Sequence, residues 1–166
     1  MQSFLSWLNV EPKGVSHVRF LIRATLFSLL YAICFAVIFR QLFGDLPDAP
    51  SVASMREKSP LYILTMLVIF CMAEELVFRY PLALLLEKNA RPTFVFGAAI
   101  LMSVCFGYLH GGFINILIQG VGGFWLCLVF IKCGGARKRF TKALLSTYAV
   151  HLAYDLVAFT MIFLDK

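Results

Sequence analysis

Six ionisable side chains stand where the surrounding sequence is apolar. Glu74, Glu75 and Arg79 lie within CMAEELVFRYPL, His110 ends the stretch CFGYLH, and His151 and Asp155 lie within AVHLAYDLV. A charged group deep in a membrane helix costs about 2.5–3.5 kcal/mol on insertion scales, so such groups persist when they are paired or functional. Their spacing organises them. Glu75 and Arg79 are four apart, share a helix face and are expected to pair. Glu74 lies about 100° around the same turn and can face a cavity while Arg79 neutralises Glu75. His151 and Asp155 are four apart, as are Phe106 and His110, which sets a large ring beside an imidazole.

A carboxylate with two imidazoles in a water-accessible cavity suits hydrolysis. Glu74 can take a proton from water as a general base, and His110 can share or orient that water. His151 and its neighbour can stabilise a tetrahedral oxyanion. A covalent nucleophile has little support: there is no GxSxG, and Ser28, Ser103 and Ser146 have no histidine at a set distance. Cys71 and Cys105 lie close to these segments in sequence, which leaves a thiol nucleophile as a minor alternative. Zinc held by Glu74, His110 and His151 is chemically possible, but HExxH is absent and the three positions have no ligand spacing. The expectation is no metal and no cofactor.

The elements that must carry these groups follow from composition. Of 166 residues, 61% are hydrophobic and 14% charged, and 17 are Phe. A soluble domain is nearer half apolar and a quarter charged, so this chain is solvated mostly by lipid. The length suits one domain. Five apolar runs cover about Phe20–Phe43, Leu61–Leu86, Thr93–Leu109, Phe113–Ile131 and Leu144–Leu164. A helix needs about 20 residues to cross a bilayer. No run alternates with period two, as a barrel strand must. The fold class predicted is therefore all-α, a polytopic transmembrane bundle of about five helices. The third run is short, and Gly111-Gly112 after it predicts a tight helical hairpin or a partly re-entrant turn. Pro81 is expected to kink the second helix. Gly107 and Gly111, with Gly120, Gly122 and Gly123, suit close helix packing. Residues 1–60 are read as an N-terminal interfacial segment, a first membrane helix and a loop, and residues 61–164 as the core that holds the polar groups.

Charge sets orientation rather than a nucleic-acid partner. The net charge is +6, from 15 basic and 9 acidic residues. The basic residues form no face interleaved with aromatics, so no nucleic acid is expected. With the N-terminus inside, ten lysines and arginines fall in inner segments and four in outer ones, which favours N-inside. Phe4, Leu5, Trp7 and Leu8 form a short amphipathic stretch, and no small-residue cleavage site follows the first long apolar run, so no cleavable signal is expected. The five cysteines are scattered, odd in number and without a CxxC, and suggest neither a disulfide framework nor a thiolate metal site.

The order EExxxR, FxxxH and HxxxN/D across successive membrane helices resembles the CAAX-protease and bacteriocin-processing family of intramembrane proteases (CPBP, Abi/Rce1-like). Here the three segments read Glu74-Glu75-Leu-Val-Phe-Arg79, Phe106-Gly-Tyr-Leu-His110 and His151-Leu-Ala-Tyr-Asp155, within about residues 61–164. The resemblance implies a metal-independent glutamate endopeptidase of the CAAX-prenyl-protease-like type. It implies that Glu74 and His110 activate water, that His151 and Asp155 form the oxyanion hole, and that Arg79 supports Glu75. The substrate implied is a membrane-embedded or lipidated peptide or protein, and the location a bacterial cytoplasmic membrane. Two departures stand out. The chain has about five helices where many members have more. The last position is Asp155 rather than Asn, and an ionised carboxylate cannot donate to an oxyanion, so Asp155 must be protonated or must instead orient His151.

Two other functions are compatible with the residues. One is a non-enzymatic membrane immunity or chaperone-like factor whose polar centre is structural. The other is a small proton-coupled transporter, since acids and histidines in helices also make proton relays. The lack of an inverted repeat disfavours a transporter.

Overall fold

Ser59 and Pro60 show how the apolar runs become helices. The Ser59 hydroxyl accepts from the backbone N–H of Tyr62 at 3.3 Å, and Pro60 occupies the first turn, where its missing N–H costs nothing. Pro92 likewise occupies the first turn of the third helix, there without a side-chain cap. The computed structural model describes residues 12–43 and 58–164. Among these residues the order is α1 (Gly14–Phe43), α2 (Pro60–Glu87), α3 (Pro92–Leu109), α4 and α5 (Phe140–Leu164), with no strand. Helix α4 is composite: an α turn at Phe113–Asn115, a π turn at Ile116–Gly120 and an α-helix at Val121–Lys132. A short 3₁₀ turn, Gly135–Arg137, leads to α5. Five helices are long and apolar enough to cross a membrane.

The boundaries differ from the apolar runs where polar residues continue a helix beyond the lipid. Helix α1 starts at Gly14 rather than near Phe20, and α5 at Phe140 rather than near Leu144. The fourth run is not one regular helix, because the π turn interrupts it. Helix α2 runs unbroken through Pro81 to Glu87. The amphipathic stretch at Phe4–Leu8 and most of the loop at 44–60 lie outside the described residues.

Helix α2 packs against α3 and α5, α4 against α3 and α5, and α1 against α5 and α4. One buried cluster, including Leu82, Val95, Ala99, Cys127, Phe130 and Ala143, joins α2, α3, α4 and α5. A second joins α1 to the rest through Ala24, Leu126, Val129 and Val150. Trp125 Nε1 donates to the Ala24 carbonyl at 3.1 Å, and the Tyr31 hydroxyl donates to the Leu117 carbonyl. The outward side chains of α1, such as Ile22, Leu26 and Leu30, are exposed apolar groups suited to lipid.

At 18 residues, α3 spans about 27 Å, slightly less than a bilayer core of about 30 Å. It returns along α2 and ends at Leu109, beside the middle of α2 rather than beyond its end. The chain reverses there over His110, Gly111 and Gly112. The two glycines have φ of 142° and 84°, conformations that L side chains avoid. The reversal holds α3 tightly against the start of α4. A Cβ on Gly107 would lie 2.6 Å from Ile116 Cα and 2.7 Å from the Asn115 carbonyl oxygen. Gly107→Ala must therefore push two backbones apart and is expected to cost about 1–3 kcal/mol. Gly97→Ala, whose Cβ would meet nothing within 4 Å, is the matched control. Thermal unfolding in detergent separates the two, and equal melting temperatures would refute the close-packing role.

Candidate active site

Glu75 and Arg79 form the foundation of the polar centre. Both are buried, at 0% and 2% exposure. Arg79 grips the carboxylate with two donors, Nε to Oε2 at 2.9 Å and Nη2 to Oε1 at 3.0 Å, the fork geometry that suits guanidinium and carboxylate. A third donor, Nη1, reaches Cys127 Sγ on α4 at 3.1 Å. Glu75 Oε1 also lies 3.0 Å from His151 Nδ1 on α5. A carboxylate locked by Arg79 can only accept, so His151 donates from Nδ1 and turns Nε2 toward the cavity.

His110 is oriented in a parallel way. It caps α3, and its Nδ1 lies 2.7 Å from the Phe106 carbonyl one turn back. A carbonyl oxygen accepts, so Nδ1 carries the proton and Nε2 faces Glu74. Asn115 Nδ2 donates to the His110 carbonyl at 3.1 Å and ties down the turn. The Phe106 ring is wedged between the two imidazoles, with centroids 4.2 Å from His110 and 5.8 Å from His151. Phe78 meets the same ring edge-on at 5.0 Å and holds it from the α2 side.

Glu74 sits between the two outward nitrogens. Its Oε1 lies 3.5 Å from His110 Nε2, and its Oε2 lies 3.7 Å from His151 Nε2. The side chains of Glu74 and His110 keep 29% and 30% exposure, so the gap between them is open at the protein surface, whereas His151 is nearly buried at 6%. Asp155 Oδ2 lies 3.5 Å from His151 Nε2 and accepts from the Cys71 thiol at 3.0 Å. All four groups expected to do chemistry and their three supports thus converge from α2, the end of α3 and α5.

Some partners were not foreseen from the sequence. Cys71 lies one turn before Glu74 and Glu75, and its spacing alone would have put it on their face. Cys127 comes from a distant segment and carries no such signal. Ser28, Tyr31, Gln119 and Tyr154 line a crevice behind Phe106 and His151, between α1, α4 and α5.

No curated protein and no solved structure with significant similarity was found. A family model described as Type II CAAX prenyl endopeptidase Rce1-like matches residues 56–157, more than half of the chain. The matched region contains every residue of the polar centre and leaves α1 outside it. With five membrane helices around that centre, the chain is an integral, multi-pass membrane protein and belongs to the Rce1-like family of type II CAAX prenyl endopeptidases.

Proposed function

We propose that the protein is an intramembrane endopeptidase that hydrolyses a peptide bond of a membrane-associated or lipidated substrate with water activated by Glu74 and His110. The observation that carries this reading is the open gap of 3.5 Å between the partly exposed Glu74 Oε1 and His110 Nε2. A water lodged beside both can donate one proton to the carboxylate and the other to the imidazole, leaving an oxygen lone pair to attack the carbonyl carbon. Glu74 takes the proton as the C–O bond forms and returns it to the leaving amine as the C–N bond breaks. No covalent acyl-enzyme is required, and no metal.

Oxyanion stabilisation falls to His151 and Asp155. Doubly protonated, His151 donates from Nε2 while Nδ1 stays bound to Glu75. Asp155 accepts from Cys71 at Oδ2, which leaves its other oxygen to carry a proton and donate. Orientation follows the basic loops, with the N-terminus on the inner side of a bacterial cytoplasmic membrane.

The test of the activity is comparative membrane proteomics of a deletion strain and a Glu74→Gln strain. Both are expected to accumulate the same uncleaved membrane or lipidated protein. Accumulation in the deletion strain alone would refute catalysis by Glu74. A second experiment addresses Asp155. Asp155→Asn is expected to keep much of the activity, because Asn supplies a neutral donor, whereas Asp155→Ala should lose about 10²–10³ in rate, the scale for one oxyanion donor. Strong chelators should leave cleavage intact. If chelation abolishes cleavage and Asn is as inactive as Ala, Asp155 works as a metal-bound carboxylate and the oxyanion assignment is wrong.

A further inference from the structure

Cys71 is neither one of the water-activating pair nor an oxyanion donor, yet its buried sulfur reaches Asp155 within the same polar centre. Cys71 Sγ, His151 Nε2 or Nδ1 and a carboxylate oxygen of Asp155 make a group whose donor atoms all lie within 4.8 Å of one another. Two of the edges are 3.0 Å, from Sγ to Oδ2, and 3.5 Å, from His151 Nε2 to Oδ2. Tetrahedral zinc with ligand lengths of about 2.0–2.3 Å needs donor separations of about 3.3–3.8 Å. The two edges lie within a few tenths of an ångström of that range, and the third, from Sγ to the imidazole, is at most 4.8 Å and needs at most about 1 Å of closure. His151 is also prepared as a ligand, because its Nδ1 is bound to a carboxylate and its Nε2 is turned outward, the support that metal-binding histidines ordinarily have. Glu74 Oε2, 3.7 Å from the same Nε2, is within reach as a fourth donor.

We infer that Cys71, His151 and Asp155 form a binding site for a zinc-class divalent cation, and that its occupancy switches the active site off. A thiolate, an imidazole and a carboxylate select zinc or cadmium over magnesium or calcium, which prefer oxygen ligands alone. Cys71 binds as the thiolate, His151 through a neutral Nε2 and Asp155 as the carboxylate, so the protons these three groups carry in the metal-free site are released to water on loading. His110 is outside this donor group. The cation therefore lies to the His151 side of Glu74, where it takes His151 and Asp155 from the oxyanion and draws Glu74 from the water shared with His110. The inhibitory half rests on the proteolytic reading above; the binding half does not.

The two halves have separate tests. The full chain in detergent, stripped with chelator, is titrated with cadmium while the sulfur-to-cadmium charge-transfer absorption is followed. One equivalent per chain is expected to saturate it, and excess magnesium should not compete. Cys71→Ala should remove the absorption. Asp155→Asn, which preserves side-chain shape, should weaken binding by roughly 10–100-fold, the scale seen even for supporting partners of metal ligands. Cys34→Ala, which alters an exposed cysteine, should bind as the parent does. No saturable absorption in the parent, or an undiminished one in Cys71→Ala, overturns the site whatever the protein's activity. For inhibition, the zinc concentration that halves cleavage is measured for each variant against its own zinc-free rate. It should rise by a similar factor in Cys71→Ala, and unchanged sensitivity would place the inhibition elsewhere and overturn the switch.

Discussion

Glu74→Gln should abolish peptide-bond hydrolysis while leaving the protein in the membrane at its normal abundance. The substitution keeps the size and shape of the side chain and removes only its ability to take a proton. General bases typically contribute about 10²–10⁴ in rate, and a loss on that scale is expected. Abundance should hold because Glu74 is partly exposed and makes its closest polar approaches to two histidines at 3.5 and 3.7 Å, not to the ion pair beneath. Quantitative immunoblotting of membranes beside a cleavage assay reads both. A protein that disappears from the membrane would favour the non-enzymatic reading, in which the polar centre is a structural lock. Full cleavage by the variant would remove Glu74 from the mechanism.

Arg79→Ala should act in the opposite sense, through stability first. The guanidinium supplies two of the hydrogen bonds to a carboxylate that has no exposed surface. Its removal leaves a buried acid with His151 as its remaining partner and an open space beside Cys127. Breaking a buried pair from one side costs about 3–5 kcal/mol. Membrane abundance and the melting temperature in detergent should both fall. Arg79→Lys should recover little, since a single ammonium cannot reproduce the two-pronged grip. A Glu75→Gln, Arg79→Met double variant should be more stable than Arg79→Ala, because no charge is left unpaired. Unchanged melting in Arg79→Ala would show that the pair does not support the fold.

The sequence made the helices and the polar residues legible for the same reason. In a chain solvated by lipid, every ionisable group inside an apolar run stands out, and residues four apart fall on one helix face. That was enough to pair Glu75 with Arg79 and to group His151 with Asp155. The level of His110 was not legible. As the end of a helix that should cross the bilayer, it reads as interfacial, yet it meets Glu74 because α3 ends beside the middle of α2. That depends on how α3 tilts and on the close approach at Gly107, neither of which has a periodic signature. The π turn at Ile116–Gly120 escaped for a similar reason, since its residues are as apolar as a regular helix. Cys127 as a partner of Arg79, and Cys71 as a partner of Asp155, depend on tertiary packing between distant segments.

The Glu75–Arg79 pair lies within one helix, whereas His151 comes from α5, which is made after α2, α3 and α4. This has a consequence for how the protein is born. As α2 leaves the ribosome, its two opposite charges can neutralise each other within a single turn, so the segment can enter the bilayer without waiting for the rest of the chain. His151 and Asp155 arrive only with α5. A nascent chain that stops after α4 should therefore insert but carry Glu74 and His110 without their counterparts. On the proposed mechanism such an intermediate stays hydrolytically silent until α5 is made, and its neighbours in the membrane are spared by the order of translation alone.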